Sequence, residues 1–304
     1  MSASRLLAIA LAILTAPTFA HHDVNALIKE LDQKIEAGPT AELHYQRALE
    51  HRALRNTKFA EKDLRAALSL QPGHRESLTA LIQLLRNTPE ALSLAKSYLA
   101  NAREPKHQLE ARYLIAQVAS WSDDDHTALR TCNEIQKLHP DHPTDVDLLH
   151  ARLLLQSGDP AKAAEVLNTA RQKHQGIVLR NSWIDASLSA GQISEVLPII
   201  ETELAESRFR ASWLIRRARA SLVANDADKA RPDLHAALTE LNTRIQPDRP
   251  DLTLIADRGL SLALLGSEDL ALQDLATLRK STLSKSAYAI LEAELRSPIS
   301  PDEK

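Results

Sequence analysis

The sequence predicts an all-α protein made of repeated helix-turn-helix units, and three observations point to this fold class. Of its 304 residues, 44% are hydrophobic but only 3% are aromatic, so most of the apolar side chains are Ala and aliphatic residues. The chain has seven Gly, too few for the many turns of a β-sandwich or barrel. A 34-residue period runs through most of the chain.

Composition and motifs also exclude several functional classes. No GxGxxG or GxxxxGK[ST] loop is present, and neither HExxH nor GxSxG occurs. A single Cys rules out a disulfide framework within the chain. The net charge of −3, from 37 basic and 40 acidic residues, gives no reason to expect a nucleic acid or an anionic membrane as partner. We therefore expect no catalysis and no cofactor.

The first 20 residues are typical of a secretory signal peptide. Arg5 is followed by an apolar stretch, Leu6–Leu14, and by the small-x-small sequence Thr18-Phe19-Ala20. We expect cleavage after Ala20 and a periplasmic or secreted protein. The alternative is a membrane anchor, but the apolar run is about half the ~20 residues that a spanning helix needs. No membrane insertion is expected after cleavage.

Cleavage after Ala20 would place His21 and His22 at the new amino terminus. An α-amine beside imidazoles can chelate copper, so an exported metal-handling protein is the alternative function. The competing interpretation is a polar start of the chain without a ligand. We expect no other metal site, because His74 and His142 are loop residues two periods apart, and the acidic run Asp123–Asp125 suits a helix cap.

The region 21–40 predicts an N-terminal capping helix, because its apolar residues recur on one helical face. Asp23 is a suitable N-cap, and Gly38-Pro39 ends the helix. The stripe consists of Val24, Leu27, Ile28, Leu31 and Ile35.

The repeat array is predicted over residues 41–283. Arg47-Ala48 and Asp63–Leu68 align with Arg217-Ala218 and Asp233–Leu238 at an offset of 170, which is five times 34. Three columns recur at this interval across seven units, with two one-residue slips around Ala163 and the seventh unit after a loop insertion at about 242–250. The first column is Ala60, Leu94, Ala128, Ala163, Val196, Ala230 and Ala271. The second is Leu64, Tyr98, Cys132, Leu167, Ile200, Leu234 and Leu275. The third is Ala48, Ile82, Ala116, Ala151, Ile184, Ala218 and Gly259.

Each unit predicts two amphipathic helices joined by a turn. Gly158, Gly191 and Gly266 occupy this turn, where a left-handed residue ends the first helix at no steric cost. Pro72 and Pro140 close the second helix of their units. The segment 284–304 predicts a C-terminal capping helix and tail. Cys132 lies in a large apolar column, and we expect it to be buried rather than nucleophilic.

These features resemble the tetratricopeptide repeat family over roughly residues 41–280. The small residue midway along the first helix, the Ala early in the second helix and the closing Pro are family features. The closest match runs from Leu43 to Ala48 and from Leu68 to Pro72, whereas the first-helix tryptophan and tyrosine of the family are mostly absent. The resemblance implies a right-handed superhelix, an α-solenoid, whose first helices line a concave groove that binds a protein or peptide.

Carrying the family's groove over to this sequence gives a candidate partner-binding surface in the first four units. The candidate groove residues are Glu42, Tyr45, Arg52, Glu76, Gln83, Arg86, Glu110, Tyr113, Gln117, Trp121 and Arg152. Aromatic and Arg side chains dominate interface hot spots, which favours binding. The alternative is a solvated helix face.

In later units the same face is more apolar, with Leu188, Ile215, Leu222 and Val223. An apolar partner, closure of the superhelix on itself and a second copy all remain open for this region. The facing of Trp183 and Trp213, the identity of the partner and the oligomeric state cannot be derived from the sequence.

Overall fold

The computed structural model describes residues 24–281, 283 and 285–296. The predicted signal peptide, the His21-His22 pair, the Asp23 cap and the predicted tail beyond 296 lie outside these residues. Within the described ranges the chain is all-α and contains no strand, which confirms the predicted fold class. No helix in this part of the chain has the length and apolar character needed to cross a membrane.

The described helices form seven helix pairs between two flanking helical segments. The chain begins with α1 (Val24–Ala37) and ends with a 3₁₀ turn (Lys285–Tyr288) and α16 (Ala289–Arg296). The first helices of the pairs are α2 (Ala41–Ala53), α4 (Arg75–Leu84), α6 (Pro105–Trp121), α8 (Thr144–Gln156), α10 (Ile177–Ser189), α12 (Ala211–Val223) and α14 (Leu252–Leu264). The second helices are α3 (Thr57–Leu70), α5 (Pro89–Asn101), α7 (Asp125–Leu138), α9 (Pro160–Lys173), α11 (Ile193–Glu206), α13 (Ala227–Arg244) and α15 (Glu268–Lys280).

The described residues divide into two compact units, one ending at Leu94 and the other beginning at Ala95. The core of the first unit lies between α2, α3 and α4, around Leu64 and Leu81. The largest core of the second unit extends from α8 to α16. Within each unit, most helices pack against their neighbours in sequence, as expected for helical repeats.

Small residues of the repeat columns are buried where the two helices of a pair meet. An Ala at such a crossing lets the helix backbones approach to about 8–10 Å. The fully buried examples are Ala48 with Ala60, Ala116 with Ala128, and Ala218 with Ala230, all at 0% exposure.

The turns inside six of the seven pairs share one backbone conformation, although their residues differ. Gly158, Gly191 and Gly266 have φ values of 82°, 75° and 79°, which confirms the left-handed geometry predicted for them. Arg55, Asp123 and Asn225 adopt the same conformation at φ 59°, 57° and 59° in three other pairs. The left-handed turn is therefore retained where no Gly is present, at a cost in backbone free energy.

Acidic side chains cap several second helices. Asp124 accepts a hydrogen bond from the Thr127 backbone N–H at 3.0 Å, and Asp226 accepts one from the Lys229 N–H at 3.0 Å. The prediction that the acidic run at 123–125 caps the following helix is confirmed. These contacts satisfy N–H groups that have no partner within the helix.

A repeated Arg–Asp pair joins the two helices of three repeats. Arg217 in α12 donates two hydrogen bonds of 2.7 Å to the Asp233 carboxylate in α13. Arg47 and Asp63, and Arg258 and Asp274, form the equivalent pairs, each again 16 residues apart.

The C-terminal segment packs against first helices of the second unit. Helix α16 contacts α8 and α14 as well as its neighbour α15. Leu291 lies against Gly259 of α14, and Lys285 Nζ lies 2.8 Å from the Asp123 carboxylate. This segment therefore covers part of the surface formed by α8, α10, α12 and α14.

Candidate functional site

Five candidate residues of the first unit lie on α2 and α4, and a sixth, Arg86, lies in the turn just after α4. Glu42, Glu76 and Arg86 are exposed. Tyr45, Arg52 and Gln83 are half-buried. The two helices contact each other, so their outward-facing side chains belong to neighbouring parts of one surface.

His74, the residue that caps α4, contacts two side chains of α2 and was not among the predicted groove residues. Its Nε2 lies 3.4 Å from Glu42 Oε2, and its ring centroid is 5.7 Å from that of Tyr45. Its Nδ1 accepts a hydrogen bond from the Ser77 backbone N–H and thereby caps α4. The interpretation of His74 as a loop residue of the repeat agrees with this capping role.

The other candidates lie on α6 and α8 in the second unit. Tyr113, Gln117, Trp121 and Arg152 are half-buried. Glu110 is also half-buried, and its carboxylate accepts a 2.8 Å hydrogen bond from the Tyr98 hydroxyl.

The structure brings Tyr113, Gln117 and Arg152 together. Burial together with the charge of Asp145 raises the pKa of Tyr113 to about 12, and the nearby Gln117 side chain opposes this shift. Arg152 donates hydrogen bonds to Ser120 Oγ at 2.7 Å and to the Gln156 side chain at 3.2 Å. Burial lowers the pKa of the Arg152 guanidinium.

In the later repeats, the apolar residues predicted on the same face of the first helices are buried at Leu188 and Ile215. The C-terminal segment packs over part of this face. Leu188 and Ile215 are 0% and 3% exposed. Ile215 lines one cleft with Ile290 and Leu291 of the C-terminal segment. Of the three possibilities left open for this apolar region, the chain shows coverage by a segment of its own.

Trp183 and Trp213 in this region are buried, and an Arg guanidinium lies over the ring of each. Arg171 lies 3.7 Å from the centroid of the Trp183 ring, and Arg216 lies 4.8 Å from that of Trp213. The Arg171–Trp183 contact joins α9 to α10, whereas Arg216 and Trp213 lie three residues apart on α12.

A second polar cluster lies in a cleft of about 350 Å³ between α7, α8 and α9. His150 is 1% exposed, and neither of its ring nitrogens has a hydrogen-bond partner. Burial lowers its pKa to about 4, so the ring is neutral. His142 Nε2 lies 3.6 Å from Asp147 Oδ1. Within the described residues, no group of three or more His, Cys, Asp or Glu is arranged to hold a metal ion.

Comparison with known proteins gives a result for the fold alone. No protein-family profile and no curated protein matches the sequence. The chain is similar to a tetratricopeptide repeat protein from Parabacteroides merdae ATCC 43184, with a TM-score of 0.58 and 17% identity over 84% of this chain and 98% of that chain. The tetratricopeptide repeat domain of P58(IPK) aligns over 90% of this chain and 93% of that chain, at 13% identity and a TM-score of 0.26. The first of these similarities and the seven described helix pairs together show that the chain has the tetratricopeptide repeat fold.

Proposed function

We propose that this chain is an exported scaffold that binds a protein or peptide partner through the first helices of its repeats and has no catalytic activity of its own. Proteins with this repeat fold generally mediate protein–protein contacts. The proposed contact residues are the candidate groove residues of the first unit, on α2, on α4 and at Arg86, and those of the second unit, on α6 and α8.

The observation that carries this proposal is that the polar groups of Arg52 and Gln83 have no side-chain partner among the described residues. Both side chains are half-buried on helices of the first unit. Neither forms a side-chain hydrogen bond or ion pair with another described residue. A guanidinium and an amide on adjacent rigid helices are available to an incoming peptide, and helices place them more accurately than loops would.

The aromatic ring of Tyr45 lies on the same helix as Arg52. Tyr45 packs on the core of the first unit while part of its ring stays accessible. A ring held in this way loses little conformational entropy on binding, which is one reason why Tyr and Arg dominate interface hot spots.

A charge-reversal experiment tests the proposal. Arg52→Glu combined with Arg86→Glu should reduce recovery of a crosslinked partner from the native cell envelope at least tenfold. The matched control is Lys58→Glu with Lys62→Glu, which reverses two exposed charges on α3. Equal recovery with both folded double variants would remove the α2–α4 surface from the proposal.

Export has a separate test. The amino terminus of protein isolated from the periplasmic fraction should be His21, as determined by mass spectrometry of the intact chain. Retention of residues 1–20 on a cytoplasmic protein would contradict export while leaving the partner surface open to its own test. Elemental analysis of the same sample checks for copper held by His21 and His22.

A further inference from the structure

A cleft of about 430 Å³ lies between the first helices α10, α12 and α14 and the C-terminal segment. Its floor is buried, with Ile215, Leu260 and Leu291 at 3%, 7% and 1% exposure. Its rim includes Val178 and Thr253, which are exposed. The cleft is large enough for a small organic molecule and is open to solvent on one side.

Asp257 of α14 lines this cleft with an unsatisfied carboxylate. No side-chain or backbone N–H of another described residue donates a hydrogen bond to its carboxylate oxygens. A half-buried carboxylate without donors is unfavourable, because burial removes water that is not replaced. Its burial raises its pKa to about 6 even though Arg216 is close enough to oppose the shift.

Arg216 of α12 provides an unused donor in the same cleft. Its Nε and Nη2 donate to the Asp185 carboxylate at 3.0 and 2.8 Å, which leaves Nη1 without a hydrogen bond to any described residue. The guanidinium is held in place by Asp185 and by the Trp213 ring 4.8 Å away. Arg219 donates to the same Asp185 at 2.9 Å, so this carboxylate is already satisfied.

The cleft therefore presents an acceptor without donors on Asp257 and an unused donor on Arg216, close enough to interact electrostatically, in a lining that is partly apolar and partly polar. Asp257 can accept from an ammonium group, and Arg216 Nη1 can donate to a carboxylate or carbonyl oxygen. The apolar walls come from Ala256, Ile215, Leu260, Ile290 and Leu291.

We propose that this cleft binds an α-amino group together with its neighbouring carboxyl or carbonyl oxygen and an apolar side chain, as in an aliphatic α-amino acid or at the amino terminus of a peptide. The ammonium lies on Asp257, the carboxyl or carbonyl oxygen lies on Arg216, and the side chain packs on Leu260 and Leu291. Because the C-terminal segment forms one wall, the ligand also holds this segment on α14.

Leucine and two half-ligands test the proposal on the unmodified mature chain by isothermal titration calorimetry. 3-Methylbutylamine has the ammonium without the carboxylate, and 4-methylpentanoate has the carboxylate without the ammonium. Leucine should bind at least tenfold more tightly than either compound. The Leu-Ala dipeptide distinguishes the two sources, because equal or tighter binding assigns a peptide amino terminus and weaker binding assigns the free amino acid.

Asp257→Asn separates the two polar contacts. This variant should lose at least tenfold in leucine affinity and bind 4-methylpentanoate like the parent chain. Asp248→Asn in the exposed loop before α14 is the matched control and should bind leucine normally. The absence of leucine binding at millimolar concentration, or equal leucine affinity of Asp257→Asn and the parent, would overturn the proposal.

The amino-acid cleft and the proposed partner surface can fail separately. The cleft uses α10, α12, α14 and the C-terminal segment, whereas the tested partner surface uses Arg52 on α2 and Arg86 in the turn after α4. Arg52→Glu with Arg86→Glu should leave leucine binding unchanged, and Asp257→Asn should leave partner recovery unchanged.

Discussion

Leu291 of α16 packs so closely on Gly259 of α14 that a Cβ added at position 259 would lie 2.8 Å from Leu291 Cδ2. The same Cβ would lie 3.1 Å from Asp274 Cβ on α15. The C-terminal helix therefore depends on a missing side chain in the middle of α14. Gly normally destabilises a helix interior relative to Ala by about 0.5–1 kcal/mol, so its presence here reflects the need for space.

Gly259→Ala should displace α16 and reduce stability, because neither Leu291 nor Asp274 can keep its place. We expect a loss of about 1–3 kcal/mol in the free energy of unfolding, the range seen for overpacked cores. Hydrogen exchange over residues 285–296 should accelerate. Gly176→Ala is the control, since its Cβ meets nothing within 4 Å. An increase in stability on Gly259→Ala would show that the helix adjusts without cost.

Arg55→Gly should stabilise the first unit, because Arg55 is held in the left-handed region at φ 59°. Removing the Cβ relieves a conformational cost of roughly 1 kcal/mol. Urea denaturation measures the change. Gly158→Ala, at φ 82°, is the reverse substitution in an equivalent turn and should lower stability by a similar amount. A loss of stability on Arg55→Gly would contradict the role assigned to this turn.

The Arg217–Asp233 pair should contribute measurably to stability. Its side chains are 27% and 11% exposed, so it is better shielded than an ordinary surface pair. A double-mutant cycle with Arg217→Gln and Asp233→Asn should give a coupling energy of about 1 kcal/mol. Arg231 and Asp228, 3.7 Å apart and exposed to 64% and 96%, form the control pair. Equal coupling in the two cycles would refute this expectation.

Asp257→Asn should stabilise the ligand-free chain at neutral pH. The folded pKa of Asp257 is about 6 against an ordinary 3.8; burial is the main cause, Asp185 and Asp251 add to the shift, and Arg216 and Arg244 oppose it. The folded state thus binds more protons than the unfolded state between these values. The contribution of Asp257 to stability is fully present below about pH 4 and is lost as pH rises through 6.

The advantage of the Asn variant should therefore grow between pH 4 and pH 7, to about 1–2 kcal/mol after allowance for partial solvent screening. Urea denaturation at several pH values measures it, with Asp248→Asn as the reference for an exposed Asp. A constant difference between Asp257→Asn and the parent across this range would contradict the raised pKa.

Cys132 should react with thiol reagents only when the protein unfolds. It is 0% exposed, and burial raises its pKa to about 12, so neither access nor a thiolate is available at neutral pH. Ellman's reagent should give less than a tenth of one equivalent in buffer and a full equivalent in urea. Rapid labelling in buffer would contradict the burial of this thiol.

The helix pairs could be predicted from sequence because each depends on local contacts between columns one period apart. Ala48 and Ala60, for example, are both fully buried at the crossing of α2 and α3. The contact of Leu291 with Gly259 has no such signal, because Gly259 occupies its column like the Ala residues elsewhere. Arg217 and Asp233 occupy the same repeat positions as Arg47 and Asp63. The alignment of these residues does not by itself indicate that the two side chains of each pair meet.

The candidate partner surface was predicted from the resemblance and stays a prediction; ten of its residues lie on first helices, and Arg86 lies in the turn after α4. The amino-acid cleft could not be predicted in the same way. It requires Asp257 and Arg216, which periodicity treats as ordinary polar positions, and a wall provided by a segment outside the repeats. Which carboxylate lacks donors depends on contacts among three helices, and no local pattern encodes that.

The ion pair between Lys285 and Asp123 spans 162 residues, whereas the Arg–Asp pairs inside three of the repeats span 16. The entropy lost in closing a loop grows with its length, so we expect the contact of Lys285 with Asp123 to form after the contacts inside repeats. The second unit should therefore collapse in two kinetic steps, stacking of helix pairs followed by docking of residues 285–296. The cleft around Asp257 is complete only after the second step, so the rate of that step limits how soon a newly folded chain acquires this cleft.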